Sequence, residues 1–324
     1  MTATALWFVE KARAELRPAD LSPQAGAARV RTLYSGLSRG TERLVFNGLV
    51  PPEEFERMRA PMMEGNFPFP VKYGYAAVGL VEDGPPHLLG RTVFCLHPHQ
   101  DRFNAPPDAV TLVPEAVPAR RAVLAANMET ALNAVWDSNA GPGDRIVVVG
   151  AGVVGLMIAR IAARLPGARV TVVDIDPARE AIATAFGAAF RPATAASDLA
   201  ATADVVFHAS AHAAGLGLAL SSAGMEATVV ELSWYGAGVT PVALGGAFHS
   251  QRLRLISSQV GQLPPARRPR WDYARRKATA LMLLDDPVLD ALITEEIAFT
   301  DLPGALPRLL APGAPGLQTL ICYS

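Results

Sequence analysis

Three glycines in the middle of the chain form the pattern with the clearest chemistry. Gly150, Gly152 and Gly155 make up a GxGxxG motif directly after the apolar run Arg145–Val149. The first glycine permits a tight turn from a strand into a helix, the second lets the backbone approach a pyrophosphate, and the third lets the helix pack on the strand. The free N–H groups and the dipole at the start of that helix favour a phosphate. The motif therefore predicts a dinucleotide-binding turn.

An acidic residue follows this motif at the spacing that a ribose ligand needs. Asp174 ends the next predicted strand, 19 residues after Gly155. A carboxylate there accepts hydrogen bonds from both ribose hydroxyls of NAD and repels a 2′-phosphate, so we expect NAD as the cofactor and keep NADP as the alternative. We also expect Val153 and Val154 to contact the cofactor from the first turn of the helix. Arg179 could reach the adenosine ribose or lie on a solvated helix face.

A glycine-rich turn of this kind has two other interpretations. It could serve only to pack a helix against a sheet, or it could belong to the fold of S-adenosylmethionine-dependent methyltransferases. The strand before it, the helix after it and the acid at ribose spacing favour the dinucleotide.

Strand-like and helix-like segments alternate around this motif. Over residues 145–232, four short β-branched runs are separated by helical segments, which predicts a doubly wound parallel sheet. One helix is predicted over Arg120–Asn139, and the chain before it is rich in short β-like runs. We expect a β-rich domain over 1–126, a nucleotide-binding domain over 127–256 and a return segment over 257–324 that completes the first domain.

Composition excludes several classes of function. Of the 324 residues 50% are hydrophobic and 18% are charged, and the formal net charge is -1. This balance argues against a disordered chain and against a nucleic-acid or membrane-surface binder held by bulk charge. Two cysteines, Cys95 and Cys322, cannot build a disulfide framework. Met1–Glu10 lacks the pattern of a signal peptide, and the longest apolar run, Ile146–Ala159, is too short to span a bilayer, so we expect a soluble, cytoplasmic protein.

Three further motifs make nearly the whole chain resemble a known superfamily. They read SGLSRGTE at 35–42, YGYAAVGLVEDG at 73–84 and GRTVFCLHPHQ at 90–100. Together with the glycine motif they are similar to the medium-chain dehydrogenase/reductase superfamily. The serine-bearing first motif is similar to that of bacteriochlorophyllide hydroxyethyl dehydrogenases. The resemblance implies an α/β protein, in which a GroES-like β-rich catalytic domain accompanies a Rossmann domain, and an oxidoreductase that acts on a small-molecule substrate.

The positions that hold catalytic zinc in many of these relatives carry other residues here. The resemblance places Ser38, Tyr75 and Ala125 at the three ligand positions, and the four-cysteine structural zinc lobe is missing. A hydroxyl and a phenol bind zinc poorly compared with a thiolate and an imidazole. We therefore expect a protein without zinc.

One alternative metal site stays open. His97 and His99 could bind a metal together with Glu42 or Glu129, although the spacing fixes no third ligand.

Without zinc, hydride transfer needs another group that stabilises the developing oxyanion or passes a proton. The resemblance implies three candidates: Tyr75, whose phenol would point into the emptied ligand pocket, His97 at a position that lines the substrate, and Thr41 at a proton-relay position. We expect Tyr75 as the first choice and His97 as the second. The structural alternatives are a helix cap for Thr41, core filling for Tyr75 and a backbone contact for His97. Ser38 and Arg39 should lie beside the substrate, where Arg39 could hold an acidic group or be exposed.

An inserted segment at 51–70 separates the first two of these motifs. It is flanked by prolines and contains a predicted short helix over Glu53–Arg59. Since both flanking motifs should reach the catalytic cleft, we expect the insert to cover its mouth and Phe67 to line the substrate pocket. Other apolar side chains could join it, or the group could form a satellite core: Phe55, Met58, Met62, Met63 and Phe69.

The sequence as a whole predicts a zinc-independent NAD(H)-dependent oxidoreductase that transfers a hydride to or from a carbonyl/alcohol substrate. We expect the nicotinamide near Val154 and the 38–41 turn. The alternatives are an NADPH-dependent quinone or enoyl reductase and a non-catalytic dinucleotide-binding protein. Relatives pair the last strands of two nucleotide-binding sheets, so the resemblance implies a homodimer, here through a strand predicted over Thr240–Leu244.

Overall fold

The computed structural model of the chain describes residues 2–22 and 24–324. These residues form two compact units. The first contains the chain up to Ala126 together with Lys277–Ser324, and the second is Asn127–Arg276. The chain thus leaves the first unit and returns to it at Lys277, 20 residues after the start of the return segment expected at 257. Within the described residues, no helix combines the length and the apolar character needed to cross a membrane.

The regular elements follow one another along the chain in this order: β1 (Thr2–Glu10), β2 (Arg13–Asp20), β3 (Ala28–Leu37), α1 (Arg39–Phe46), β4 (Glu64–Gly65), β5 (Val71–Lys72), β6 (Ala77–Asp83), β7 (Thr92–Cys95), β8 (Arg102–Ala105), β9 (Val110–Leu112), α2 (Ala119–Ala122), α3 (Ala125–Ser138), β10 (Arg145–Val149), α4 (Val153–Ala162), β11 (Arg169–Asp174), α5 (Glu180–Ala185), β12 (Ala189–Pro192), β13 (Ala203–His208), α6 (Ala213–Ser222), β14 (Ala223–Glu231), α7 (Ala247–Ser250), β15 (Arg254–Ser257), α8 (Tyr273–Leu283), β16 (Ile293–Ala298), α9 (Leu302–Leu309) and β17 (Gln318–Cys322).

The second unit is built on a parallel sheet with the strand order β12-β11-β10-β13-β14-β15. Its central strand β10 is buried from Ile146 to Val149, as expected for a strand that is covered on both faces. Because all strands are parallel, their carboxyl ends lie at one edge of the sheet. The strand order reverses between β10 and β13, which is where doubly wound sheets bind nucleotides. The prediction of a doubly wound parallel sheet is confirmed.

The strand predicted over Thr240–Leu244 is wrong. These residues form no strand, and the sheet ends with β15 instead. Pro241 lacks the N–H group that a ladder needs, and glycines at 236, 238, 245 and 246 flank the segment. Val239 is 96% exposed and Leu244 is 51% exposed, so the β-branched pattern here belongs to a surface loop.

Two predicted helices also differ from the structure. The helix expected over Arg120–Asn139 is split into α2 and α3, because Leu124 N–H bonds to the Arg121 carbonyl only three residues earlier. The helix expected over Glu53–Arg59 is limited to a 3-10 turn at Pro52–Glu54. The insert therefore runs mainly through turns.

The first unit contains two sheets. The larger has the order β16-β17-β3-β6-β7-β9, with β8 paired to β3, and the smaller has the order β2-β1-β5-β4. The returning strand β17 lies antiparallel to β3, with Thr319 opposite Leu37 and Cys322 opposite Tyr34. The return segment therefore completes the sheet from which the SGLSRGTE motif leaves.

This motif spans the end of β3 and the start of α1. Ser38 is the N-cap of α1, and its backbone N–H donates to Glu42 Oε1 at 2.7 Å. A carboxylate one turn into a helix satisfies an N–H group that has no helical partner. Thr41 is therefore not the cap that the alternative reading assigned to it, and the Ser38 hydroxyl is left for another contact.

Candidate active site

The glycine motif turns directly after β10, and two of its glycines are required by packing. Gly150 has a φ of +108°, and a Cβ there would lie 2.7 Å from the Ser210 nitrogen. A Cβ at Gly155 would overlap the Gly150 carbonyl, so this glycine lets α4 approach the turn. Gly152 is the N-cap of α4 and has open space around its Cβ position. The turn thus has the room that a pyrophosphate needs, beside the helix start at Val153.

Asp174 closes this turn from the end of β11. Its Oδ2 accepts a hydrogen bond from Ala151 N–H at 2.6 Å, and its Oδ1 accepts one from Asp176 N–H at 2.8 Å. The carboxylate therefore sits beside the glycine motif, as the spacing predicted. Arg179 is paired with Asp176 at 3.2 Å, which draws its guanidinium toward that carboxylate.

These residues suit a dinucleotide. Val153 and Val154 lie in the first turn of α4, where helix geometry leaves N–H groups without helical acceptors. The dinucleotide would be held by these groups, by the space at Gly152 and by Asp174, and when bound it would supply a hydride.

In the first unit, three of the predicted side chains meet around one phenol. Tyr75 donates a hydrogen bond to Ser38 Oγ, and the Thr41 hydroxyl is near enough to lower the pKa of the Tyr75 phenol. Burial and the nearby Glu42 carboxylate raise the pKa of Tyr75 to about 12, although both hydroxyl contacts act in the opposite direction. The phenol is therefore protonated at neutral pH and can donate to an oxygen atom.

A buried acid–base pair lies next to this phenol. His99 Nε2 lies 2.9 Å from Glu42 Oε2, and both side chains are fully buried. Gly74 makes room for the imidazole, because its φ is +124° and a Cβ there would lie 2.9 Å from His99 Cδ2. Glu42 and His99 were expected only as possible metal ligands, and the structure instead pairs them with each other.

The pair continues into a longer chain of hydrogen bonds. Ser35 Oγ lies 2.7 Å from His99 Nδ1 and 2.8 Å from the Tyr323 hydroxyl. Burial raises the pKa of Tyr323, so its phenol also keeps its proton. These hydrogen bonds could not be predicted from the sequence, because Tyr323 follows the returning strand β17 and is 288 residues from Ser35.

His97 lies apart from these hydrogen bonds. Its ring stacks on Phe103 with centroids 3.7 Å apart, and its Nδ1 lies 2.8 Å from the Pro98 carbonyl oxygen. Burial lowers the pKa of His97 to about 3. The imidazole is therefore neutral near pH 7 and is held by backbone and ring contacts, as its structural alternative describes.

The other predicted pocket residues occupy different surroundings. Arg39 Nη1 donates to the carbonyls of Ala314 and Gly316, at 3.1 and 3.0 Å, which ties α1 to the loop before β17. Phe67 is buried, with its ring centroid 5.9 Å from that of Tyr73.

The insert is connected to Tyr75 through an aromatic row. The Phe55 and Phe67 centroids lie 5.7 Å apart, and Tyr73 in turn meets Tyr75 edge-to-face at 6.1 Å. Met62 packs against the core of the larger sheet, as a satellite core would. The insert thus contributes to packing and also reaches the neighbourhood of the phenol.

The donor atoms do not suit zinc. Ser38 and Tyr75 offer a hydroxyl and a phenol that bond each other, and Ala125 is buried and offers no donor. Glu129 is paired with Arg276 at 3.1 Å. Across residues 2–22 and 24–324, no group of three or more His, Cys, Asp or Glu side chains could hold a metal ion.

Comparisons with known proteins bear on the fold and on the segment that carries the glycine motif. The family described as "Alanine dehydrogenase/PNT, C-terminal domain" matches residues 128–215, which include the glycine motif and Asp174. Among solved structures, a dehydrogenase from Sinorhizobium meliloti 1021 bound to NADP is similar over 99% of both chains, with a TM-score of 0.80 and 16% identity. An alcohol dehydrogenase from E. coli CFT073 complexed with NADH is similar over 99% of both chains, with a TM-score of 0.79 and 16% identity.

A third structure, L-idonate 5-dehydrogenase from Escherichia coli K-12 MG1655, is covered over 99% of its length by the whole of this chain, with a TM-score of 0.80 and 14% identity. These likenesses concern the fold. The chain has the fold of these dehydrogenases, in which a GroES-like β-rich domain accompanies a Rossmann domain, as the resemblance in its motifs implied.

Proposed function

We propose that the protein is a zinc-independent NAD(H)-dependent oxidoreductase that interconverts a carbonyl compound and an alcohol. The observation that carries this proposal is the Tyr75 phenol hydrogen-bonded to Ser38, because the resemblance assigns both residues to positions that hold zinc in relatives. A neutral donor at this place can stabilise the charge that develops on a carbonyl oxygen.

Tyr75 is the group that contacts the substrate oxygen in this mechanism. Its O–H would turn from Ser38 to the carbonyl oxygen and donate a hydrogen bond there, where it would stabilise the negative charge that develops during reduction. As the oxygen becomes an alkoxide, the phenol proton passes to it. Ser38 or Thr41 then donates to the phenolate oxygen, so the negative charge does not stay unpaired beside Glu42.

The cofactor preference rests on Asp174. Its carboxylate lies at the glycine motif and keeps lone pairs beyond those used by Ala151 and Asp176. A carboxylate favours the two free ribose hydroxyls of NAD over a 2′-phosphate. This supports NAD(H) rather than NADP(H).

We also propose a homodimer, formed at the edge of the parallel sheet rather than by the pairing of a strand at Thr240–Leu244. β15 is the last strand of that sheet, and the apolar loop around Val239 and Leu244 precedes it. An open strand edge with exposed apolar neighbours tends to find a partner. Light scattering at micromolar concentration should give twice the chain mass, and a monomer alone would contradict this.

The activity is tested by incubating the purified protein with NADH or NADPH and a panel of aldehydes, ketones and quinones. Consumption of NADH with an aldehyde or ketone would support the proposal. Turnover that requires NADPH and a quinone would favour a quinone reductase, and NADH binding without any turnover would favour a dinucleotide-binding protein. A thermal shift with S-adenosylmethionine but with neither dinucleotide would instead indicate a methyltransferase.

A further inference from the structure

The carboxyl ends of β13 and β14 carry a second set of hydrogen-bonded side chains, which lies entirely within the nucleotide-binding unit. His208 Nδ1 lies 2.7 Å from Glu231 Oε2, and His208 Nε2 lies 2.7 Å from Ser210 Oγ. The Tyr235 hydroxyl donates to Glu231 Oε2 at 3.1 Å, and Ser233 N–H donates to Glu231 Oε1 at 2.7 Å. No motif in the sequence pointed to this arrangement.

The donors around Glu231 fix the direction of these bonds. Burial alone would raise the pKa of Glu231, but the bonds from His208 and Ser233 outweigh it, and the pKa is lowered. The carboxylate is therefore ionised, and it orients the imidazole with a proton on Nδ1. In the tautomer whose single proton is on Nδ1, Nε2 accepts the hydrogen bond from the Ser210 O–H. Ser210 Oγ consequently presents only its lone pairs to other groups.

Ser210 lies at the surface, between two glycines. A Cβ on Gly150 would lie 2.7 Å from the Ser210 nitrogen, and a Cβ on Gly215 would overlap Ser210 Oγ. Side chains at either position would displace the serine. Gly150 also makes the tight turn of the GxGxxG motif. Ser210 therefore borders the turn that is expected to hold the pyrophosphate.

Ser210 and Asp174 lie on opposite sides of that turn. β10, which leads into it, is paired with β11 on one side and with β13 on the other. Asp174 ends β11 and Ser210 follows β13. If the adenosine ribose lies at Asp174 and the pyrophosphate at the turn, the rest of the cofactor extends toward β13. Its first hydrogen-bond donors on that side are the hydroxyls of the second ribose.

We propose that Ser210 accepts a hydrogen bond from a hydroxyl of the nicotinamide-side ribose, and that His208 and Glu231 are positioning residues that hold Ser210 in this accepting state. The inference rests on the proposed function only in so far as both require a bound dinucleotide. It concerns binding, so it is measured without a substrate.

The test measures the dissociation constants of NADH, ADP-ribose and ADP by calorimetry. ADP-ribose has the second ribose but no nicotinamide, and ADP has neither. Ser210→Ala should raise the dissociation constants of NADH and ADP-ribose about three- to tenfold, which corresponds to the loss of one neutral hydrogen bond. The dissociation constant of ADP should stay the same. Ser221→Ala is the matched control and should change none of the three, since Ser221 is an exposed serine on α6 whose hydroxyl donates to the Leu218 carbonyl.

A double-mutant cycle tests the positioning role. Glu231→Gln should weaken the binding of ADP-ribose when Ser210 is present and should have no further effect in the Ser210→Ala protein. If Glu231 had a purely structural role, its substitution would weaken binding in both proteins. Unchanged ADP-ribose binding by Ser210→Ala, or an equal loss of ADP binding, would overturn the inference. If the unmodified protein bound no dinucleotide, this inference and the proposed function would both be wrong. NADH binding without turnover would contradict the proposed function alone, and Ser210 would still be judged by the binding constants.

Discussion

His99 Nε2 lies 2.9 Å from Glu42 Oε2 in the β-rich unit, and neither side chain has surface exposed to solvent. A buried carboxylate is stable only when its oxygens are hydrogen-bonded. Here the Ser38 N–H bonds Glu42 Oε1, and His99 bonds Glu42 Oε2. The pair also contributes the negative charge that, after burial, raises the pKa of Tyr75. It thus links the stability of the unit to the protonation of the phenol.

Glu42→Gln should lower the free energy of unfolding by about 2–4 kcal/mol, because it removes the buried carboxylate to which His99 and the Ser38 N–H are bonded. Urea denaturation measures this change. Glu226→Gln is the control, since Glu226 and its partner Arg252 are both largely exposed, and it should leave stability unchanged. Equal stability of the unmodified and Glu42→Gln proteins would show that the pair contributes nothing.

The pKa of His97 predicts a loss of stability in acid. It falls from 6.5 in an unfolded chain to about 3 in the folded protein, so between these values the unfolded chain binds an extra proton. Stability therefore falls as the pH decreases through this window, by at most about 1.4 kcal/mol per pH unit from this group.

His97→Gln should flatten this dependence. Unfolding measured at pH 6.5, 5.5 and 4.5 should show a smaller loss for the variant than for the unmodified protein. His87→Gln, at an exposed position, should retain the full slope. Parallel curves for all three proteins would contradict the buried, neutral state of His97.

The features that could be predicted from the sequence are local. The GxGxxG turn and Asp174 depend on spacing within about one strand–helix–strand unit, and the parallel sheet depends on the alternation of such units. Tyr75, Ser38 and Thr41 were predicted through the resemblance, and the structure brings them together.

The features that were missed depend on long-range contacts. Glu42 and His99 are 57 residues apart, and His208 and Glu231 are 23 apart on neighbouring strands, so no spacing rule connects them. His97 was preferred to His99 because the resemblance places it at a position that lines the substrate, but its ring stacks on Phe103 and its Nδ1 lies 2.8 Å from the Pro98 carbonyl oxygen. The signal that could have corrected this is Gly74, whose missing side chain makes room for His99.

Asp174→Ala should weaken NAD binding by about 1–3 kcal/mol and reduce the preference for NAD over NADP, because the charged acceptor for the ribose hydroxyls is lost. Calorimetric titration of both cofactors measures this. Asp198→Ala serves as the control, since Asp198 lies in the same unit and pairs with Arg191 at an exposed position. Tighter binding of NADP than of NAD by the unmodified protein would contradict the expected preference.

Metal analysis should find well below one zinc per chain, because Ser38, Tyr75 and Ala125 offer no thiolate or imidazole. Treatment with a chelator should leave the melting temperature and the turnover unchanged. A tightly bound zinc in about equimolar amount, lost together with activity on chelation, would show that other side chains supply the ligands.

Tyr75→Phe should lower turnover by about 10²–10³-fold once a substrate is found, because it removes the donor to the developing oxyanion and keeps the ring. The dissociation constant of NADH should stay the same. Tyr73→Phe is the matched control, since it removes a phenol hydroxyl from the neighbouring ring in the same aromatic row. With a pKa of about 12, Tyr75 stays protonated at pH 6–10, so its ionisation should add no step to the pH profile of turnover in that range. Full turnover in Tyr75→Phe would rule out the phenol as the donor, and a loss confined to Thr41→Val would assign the proton to Thr41 instead.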